Sequence, residues 1–444
     1  MERRRSRRVL VVGSGGREHA LAWKLARDGA EVVVAPGNAG TAEVAENVGI
    51  AATDIPALVK LAIDRGIDLT VVGPEAPLVA GIVDAFVAAG LRIFGPTRQA
   101  AQLEGSKAFC KQILHRGDVP TAMYREFRSA ARAREYLEAR EDMPVVVKAD
   151  GLAAGKGVFV CAGRDEALAA VQSLADDPLL SAASASILVE EKLDGIEVSV
   201  LAITDGRTIV TLPPLQDHKA AHDGDAGPNT GGMGAYCPTP FVDEALLAEI
   251  EARILVPTVH AMRRAKVPFH GVLYAGLMLT AQGPKVLEFN ARFGDPECEP
   301  LLVRMESSLL ELLDAAVDRR LDECPAPTWH DGAAVSVVMA SEGYPGVVAK
   351  GQPIRGLEAA AALPDVVVFH AATRAVDGAV LADGGRVLVV TARGSTLARA
   401  KLHAYTAVRE IRWTGAWCRK DIADKGLHRE RELLATEAAA EGAT

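Results

Sequence analysis

The 444-residue chain contains no Cys-x-x-Cys pair. Its six cysteines (Cys110, Cys161, Cys237, Cys298, Cys324 and Cys418) are scattered without paired spacing. That excludes a zinc ribbon and a dithiol redox motif, and it fits unpaired thiols in a reducing cytoplasm. No apolar run approaches the ~20 residues of a bilayer span, so no membrane partner is expected. Positive charge is not in surplus either: 49 Lys and Arg stand against 58 Asp and Glu, a net charge of −9. Nucleic acid is therefore not expected as a partner, although local basic sites for phosphorylated metabolites are compatible with this balance. Internal repeats and low-complexity segments are missing. The one basic run, MERRRSRR, precedes an apolar stretch, VLVVG, that is too short for a signal-peptide core. Residues 1–8 read as an extension ahead of the first strand.

Apolar residues make up 49% and charged residues 24%, the profile of a globular chain with a large core. The length suits two to four domains. Residues 9–105 alternate apolar strands with helices: RVLVVG, REHALAWKLARDG, AEVVVAPG, IDLTVVGPE, a helix over 77–89, and LRIFGP. This rhythm predicts a Rossmann-like α/β domain with a parallel sheet. Its strands end in GSGGRE, PGNAGT, GPEAP and GPT, the carboxyl-end positions where such sheets bind ligands. Residues 106–325 read as an α+β domain with mostly antiparallel strands, including VVVKADGLAAGKGVFV (145–160), EVSVLAITDG (197–206), GVLYAGLMLT (271–280) and PKVLEFNARFG (284–294). After the polar linker DECPAPTWHDG (322–332), residues 330–428 form a small β-rich domain with a helix over 395–410.

Chemistry concentrates in a few segments. GSGGREHA (13–20) follows a strand and opens a helix, so its free N–H groups suit an anion. It is not a clean dinucleotide fingerprint, because Glu18 takes the place of the third glycine and no acidic residue closes the next strand. GLAAGKG (151–157) is one residue short of a P-loop and lacks its Ser or Thr. It reads instead as a glycine hairpin, with Gly155, Lys156 and Gly157 folding over phosphates. Lys148 interrupts an apolar strand and, with Lys107, offers cations to a polyphosphate. EEKLDGIE (190–197) carries carboxylates at Glu190, Glu191 and Glu197.

In LEFNARFGDPE (287–297), Glu288 and Asn290 are two apart on a strand and share one face, a spacing that suits Mg²⁺. Arg292 continues that face and suits a carboxylate. Residues 212–236, LPPLQDHKAAHDGDAGPNTGGMGAY, show neither helical nor strand period and read as a long ordered loop handling a polar substrate. His218 and His222 have zinc-helix spacing but lack the glutamate of H-E-x-x-H, and glycines follow at once. Asp217 and Lys219 suit an amine and an acid better.

These motifs, in this order and joined by VGPEAPL, AAQLEGSKAFCK and VMASEGYPG, resemble the phosphoribosylamine–glycine ligase family, also called glycinamide ribonucleotide synthetase, of the ATP-grasp superfamily. The resemblance runs from about Val9 to Lys425. It implies an N-terminal Rossmann-like domain (9–105) for phosphoribosylamine, an ATP-grasp domain (106–325) with a lid at about 121–190, and a small C-terminal domain (330–428). It implies ATP as substrate and Mg²⁺ or Mn²⁺ as cofactor. ATP would phosphorylate the carboxylate of glycine, and the amine of 5-phospho-β-D-ribosylamine would attack glycyl phosphate.

By position, the resemblance assigns Lys107, Lys148 and the hairpin 151–157 to the ATP phosphates. Glu190 and Leu193 fall to adenine, and Glu197 to ribose. It assigns Glu288 and Asn290 to the metal, Arg292 to the glycine carboxylate, and Asp217 with Lys219 to the substrates' charged ends. Gly15, Gly16, Arg17, Glu18, Asn38, Thr41 and Glu75 fall to phosphoribosylamine. Lys148, Asp217 and Arg292 are thereby the catalytic candidates.

The chain departs from the family pattern at Ile196 (often Glu), at Ala220 (often Arg), and in YAGLML, which lacks a carboxylate that other ATP-grasp enzymes use for metal. A monofunctional monomer is expected. Two alternatives are an ATP-grasp carboxylase of an aminoimidazole ribonucleotide and an NAD-dependent oxidoreductase.

Overall fold

The computed structural model describes residues 6–151, 157–176 and 186–441. The first domain contains β1 (Arg8–Gly13), β2 (Glu31–Pro36), β3 (Glu46–Asn47), β4 (Leu69–Val72) and β5 (Ile93–Phe94). They pair in parallel in the order β3-β2-β1-β4-β5. Val9 to Val12 of β1 are wholly buried, because helices cover both faces of a parallel sheet. Helix α1 (Gly16–Arg27) starts where β1 ends. The helix expected over 77–89 is two helices, Glu75–Ala80 and Ile82–Ala88, divided at Gly81. Gly81 sits at φ 98°, a left-handed conformation that stops the first helix.

The central region is antiparallel, as expected. The first central sheet, in the stretch expected to be a lid, is built from β6 (Tyr124–Phe127), β7 (Val145–Ala149), β8 (Val158–Cys161) and β9 (Ile187–Glu191), ordered β6-β9-β7-β8. The chain continues through β10 (Ile196–Thr204) and β11 (Ile209–Thr211). It then enters the glycine-rich segment, and here the expectation of a long irregular loop needs correcting. The segment contains β12 (Gln216–Asp217), β13 (Ala220–His222), β14 (Ala226–Asn229) and β15 (Gly234–Cys237). Strands β13 and β14 form a small hairpin, and β12 pairs with β15. These strands are two to four residues long, too short for a period to register. Strands β16 (Gly271–Thr280) and β17 (Gly283–Asn290) complete the second central sheet, ordered β11-β10-β16-β17.

The third domain adds β18 (Ala333–Ser341), β19 (Gln352–Pro353), β20 (Val366–His370), β21 (Thr373–Val376), β22 (Ala379–Ala382), β23 (Arg386–Gly394) and β24 (Ala416–Trp417). Its main sheet runs β12-β15-β18-β23-β20, with β24 also on β18. The glycine-rich segment is thus hydrogen-bonded into the third domain, although it belongs to the central domain in sequence. The helix Leu397–Glu410 covers this sheet, close to the expected 395–410.

The first and third domains meet through buried groups. His370 N–H donates to His19 Nδ1 at 2.8 Å, and Asn38 Nδ2 donates to the His370 carbonyl at 2.7 Å. Phe369 stands edge-on to His19 and Trp23. All six cysteines are free thiols, in line with their scattered spacing.

Candidate active site

The lid and the second central sheet face each other across a row of charged side chains. Lys148 on β7 donates to Glu190 Oε2 at 3.0 Å and to the Leu287 carbonyl of β17 at 3.3 Å. One ammonium therefore touches both sheets. Lys111 reaches the same Glu190 oxygen at 3.1 Å. Glu190 Oε1 is buried without a hydrogen-bond partner among the described residues, an acceptor left unsatisfied. Lys107 opens the helix Lys107–Gly117, which Ser106 caps, and donates to the Gly151 carbonyl at 3.1 Å. Burial lowers the Lys107 ammonium, and Lys148 nearby lowers it further while Glu288 opposes this. Crowded cations of this kind are relieved by a polyanion. Gly157 follows the lid hairpin and accepts from Ala149 N–H at 2.8 Å, whereas Gly155 and Lys156 lie outside the described residues.

Glu288 and Asn290 share one face of β17, as the spacing predicts, and both are half-buried. Burial alone would raise the Glu288 carboxyl. Lys219, Lys148 and Lys107 overcome it and hold the group below its ordinary value. Among the described residues no cluster of three or more His, Cys, Asp or Glu side chains converges on one point. The donor set here is one carboxylate and one amide oxygen. That fits Mg²⁺ or Mn²⁺, whose remaining ligands would be substrate oxygens and water.

The glycine-rich segment brings Asp217 and Lys219 to the same place. Lys219 Nζ lies 3.3 Å from Glu197 Oε2 and 3.8 Å from Glu288 Oε1. Burial pushes the Asp217 carboxyl up to about 8; Lys219 pulls it down, and Glu297, Glu197 and Glu288 add to the rise. Beneath them, the Tyr274 hydroxyl donates to the Glu297 carboxylate and lies 2.9 Å from Ser199 Oγ. Leu193 is half-buried and Glu197 is exposed at the start of β10. His218 lies between β12 and β13 and His222 ends β13, so neither is on a helix. His218 is buried, and burial drives it down to about 4; His222 packs on Trp417. Their i, i+4 spacing is therefore not a helical one.

Arg292 follows β17, and protein carboxylates already engage its guanidinium: Glu104 at 2.9 Å and Glu75 at 3.5 Å. It also donates to Asn290 Oδ1 at 3.2 Å. A glycine carboxylate would have to share this fork with Glu75, itself expected to meet the other substrate.

In the first domain, Arg17 and Glu18 are only 6% and 2% exposed. Glu18 accepts from Gly15 N–H and from Arg17 Nε, both at 2.5 Å, and so closes its own helix. Arg17 also donates to the Phe293 carbonyl at 3.2 Å. Thr41 is wholly buried and accepts from Asn38 N–H. These three side chains, expected to hold phosphoribosylamine, are buried and hydrogen-bonded to the loops around them. Ser14, Gly15, Gly37 and Asn38 line a cavity of about 590 Å³, whose other wall includes Tyr344, Thr373, Asp383 and Arg386 of the third domain. Gly16 opens α1 beside it, with Glu299 directly against it.

Sequence reasoning missed Lys111, Glu104 and the third-domain wall. Lys111 sits four residues after Lys107 on one helix face, which is the signal that could have found it. Nothing local marks the others.

Two antiparallel sheets that close on a lysine–carboxylate cleft, attached to a parallel-sheet domain, define the ATP-grasp class of ligases. A profile described as phosphoribosylglycinamide synthetase, ATP-grasp (A) domain, matches residues 105–298. The N-domain profile of the same synthetase matches 7–104, and its C-domain profile matches 334–425. The chain belongs to the phosphoribosylamine–glycine ligase family. A relative of that name from Rhodopirellula baltica is 59% identical over 426 residues, covering 94% of this chain and 98% of the relative. The crystal structure of the phosphoribosylamine–glycine ligase from Thermotoga maritima superposes with a TM-score of 0.81 at 32% identity, covering 94% of this chain and all of that one. N5-carboxyaminoimidazole ribonucleotide synthetase from the same organism reaches a TM-score of 0.61 at 18% identity over 92% of this chain and 99% of its own, a likeness of fold alone. The activity that goes with the family is ATP-dependent joining of glycine to phosphoribosylamine, the second step of purine biosynthesis; the carboxylase and NAD-dependent readings are not favoured.

Proposed function

We propose that the lysine–carboxylate cleft is where ATP activates glycine, and that the cavity between first and third domains holds the phosphoribosyl part of the amine. The observation that carries this reading is the convergence of Lys107, Lys148, Glu288, Asn290, Asp217 and Lys219 from four separate segments. Lys107 and Lys148, with Gly155, Lys156 and Gly157 of the hairpin, hold the phosphates of ATP. Adenine lies near Leu193, with its exocyclic amine toward the unpartnered oxygen of Glu190. Glu197 takes the ribose hydroxyls. Glu288 and Asn290 hold Mg²⁺ or Mn²⁺, which supplies electrostatic stabilisation of the phosphates when bound.

A carboxylate is a poor acyl donor, and transfer of the γ-phosphoryl group to a glycine oxygen creates a leaving group. Arg292 orients that carboxylate, while Asp217 holds the ammonium end. The amine nitrogen of phosphoribosylamine then attacks the acyl carbon, and phosphate leaves. The main chain at Gly15, Gly16 and Asn38 binds the phosphoribosyl unit, supported from below by Arg17, Glu18 and Thr41; Glu75 stands between the two sites through Arg292. The lid excludes water from the acyl phosphate. The amine is its own nucleophile, so no protein general base is required.

No helix of the described residues is long and apolar enough to cross a membrane. We read the protein as a cytoplasmic monomer. The test is ADP release from ATP and Mg²⁺, with glycine alone and then with freshly generated phosphoribosylamine. Turnover only with both, and a product of glycinamide ribonucleotide mass, is the expected result. ATP binding with no turnover would overturn it.

A further inference from the structure

We propose that Arg419, in the third domain, is a positioning residue for the ligation: it fixes the hairpin that presents Asp217 and Lys219. The inference rests on the reading of those two residues given above. Arg419 is 1% exposed and is the largest fully buried side chain among the described residues. An isolated guanidinium that deep is costly, so its partners carry the information. Nη1 donates to the Ala220 carbonyl at 3.0 Å, on the residue that follows Lys219. Nε and Nη2 meet both oxygens of Asp421 at 2.8 and 2.7 Å, and Nη2 reaches Asp225 at 3.1 Å.

The clamp has further teeth. Asp421 accepts from Gly224 N–H at 2.8 Å, and Asp223 accepts from Lys420 N–H at 2.8 Å. Lys425 pairs with Asp225. Every one of these bonds joins the 419–425 segment to the turn of the β13–β14 hairpin.

Ala220 and Ala221 of β13 are buried, but the turn and β14 have little else to hold them. Residues 222–229 are all exposed, so no apolar core sets their position. On the active-site side, the Lys219 carbonyl accepts from Thr230 N–H at 2.8 Å and from Thr230 Oγ1 at 2.9 Å. Movement of the hairpin would therefore pass directly to Lys219, and two residues further to Asp217. Arg419 touches none of the groups assigned to substrate. Its effect travels through one carbonyl and one hairpin, a contiguous physical link.

The test uses the full-length protein with Arg419→Lys and, as a second variant that keeps the buried cation, Asp421→Asn. Lysine retains the charge but cannot reach Ala220, Asp225 and Asp421 together. Each change is also combined with Asp217→Asn and with Lys219→Met. We expect folded proteins whose ADP affinity stays within about twofold, while kcat/KM for glycine falls roughly 10- to 100-fold, the scale of a slight misplacement. On the Asp217→Asn or Lys219→Met background the same changes should cost less than about threefold, because the pathway is already broken.

Folded variants with near-normal kcat/KM, or losses that multiply in full on both backgrounds, would overturn the role of Arg419. If Asp217→Asn and Lys219→Met are themselves without effect, it is the reading of those two residues that fails, and the single variants of Arg419 and Asp421 then decide by their effect on glycine kinetics alone.

Discussion

Lys148 interrupts the apolar run of β7 because two acceptors wait for it on different elements: Glu190 at 3.0 Å and the Leu287 carbonyl at 3.3 Å. That position links β7 to β17, the strand that carries Glu288 and Asn290. Lys148→Met should lower kcat by about 100- to 1,000-fold, the range for removing one preorganised charge contact to a transition state. ADP release at saturating ATP measures it, with Lys111 left to hold Glu190 and a thermal melt to confirm folding. Glu288→Gln should raise the Mg²⁺ concentration for half-maximal turnover by at least about tenfold, the scale seen even for outer-shell partners of metals. A Mg²⁺ titration reads this directly, and excess chelator should stop wild-type turnover. An unchanged midpoint would remove Glu288 from the metal shell.

At the scale of elements, the start of α1 is built around Glu18. A Cβ added at Gly73 would lie 2.0 Å from Glu18 Oε1, and one at Gly13 would lie 2.5 Å from Glu18 Cγ. The ends of β1 and β4 are glycine so that this carboxylate can lie between them and accept from Gly15 N–H. Gly73→Ala should therefore destabilise the protein by about 1–3 kcal/mol, the cost of overpacking a full site. Denaturant unfolding measures it; a loss below ~0.5 kcal/mol would show that Glu18 swings aside. The strands β12 to β15 show the limit of period-based reading. Asp217, His218 and Lys219 were recognisable by type, yet β12 is placed by pairing with β15, and β15 by pairing with β18, about a hundred positions further on.

The whole molecule is held together at the seam between first and third domains, where His19 and His370 meet. Burial drives His19 down to about 3, with His370 adding to it, and burial drives His370 to about 4. The His19 ring is neutral in the folded state, because its Nδ1 accepts from the His370 main-chain N–H. Between those values and the ordinary 6.5, the unfolded chain binds protons that the folded chain does not. The contribution of this pair to stability should therefore be constant above about pH 6.5 and be lost as the pH drops from there toward 4. Urea midpoints at pH 7.5, 5.5 and 4.5 test this. His370→Asn should flatten the dependence, and an unchanged slope would place the acid sensitivity elsewhere.

Much of this architecture was legible beforehand. Buried runs such as Val9–Val12, the Glu288–Asn290 spacing and the out-of-place Lys148 are local signals, because strand geometry sets which neighbours share a face. The sequence by itself determined the parallel first domain, the antiparallel centre and the residue types of the cleft. Only the tertiary structure decided that Glu18 and Arg17 lie beneath the loop, that Glu104 and Glu75 claim Arg292, and that Arg419 clamps the hairpin from another domain. Those outcomes turn on desolvated charges finding partners across long sequence separations, and no local pattern encodes which partner is reached.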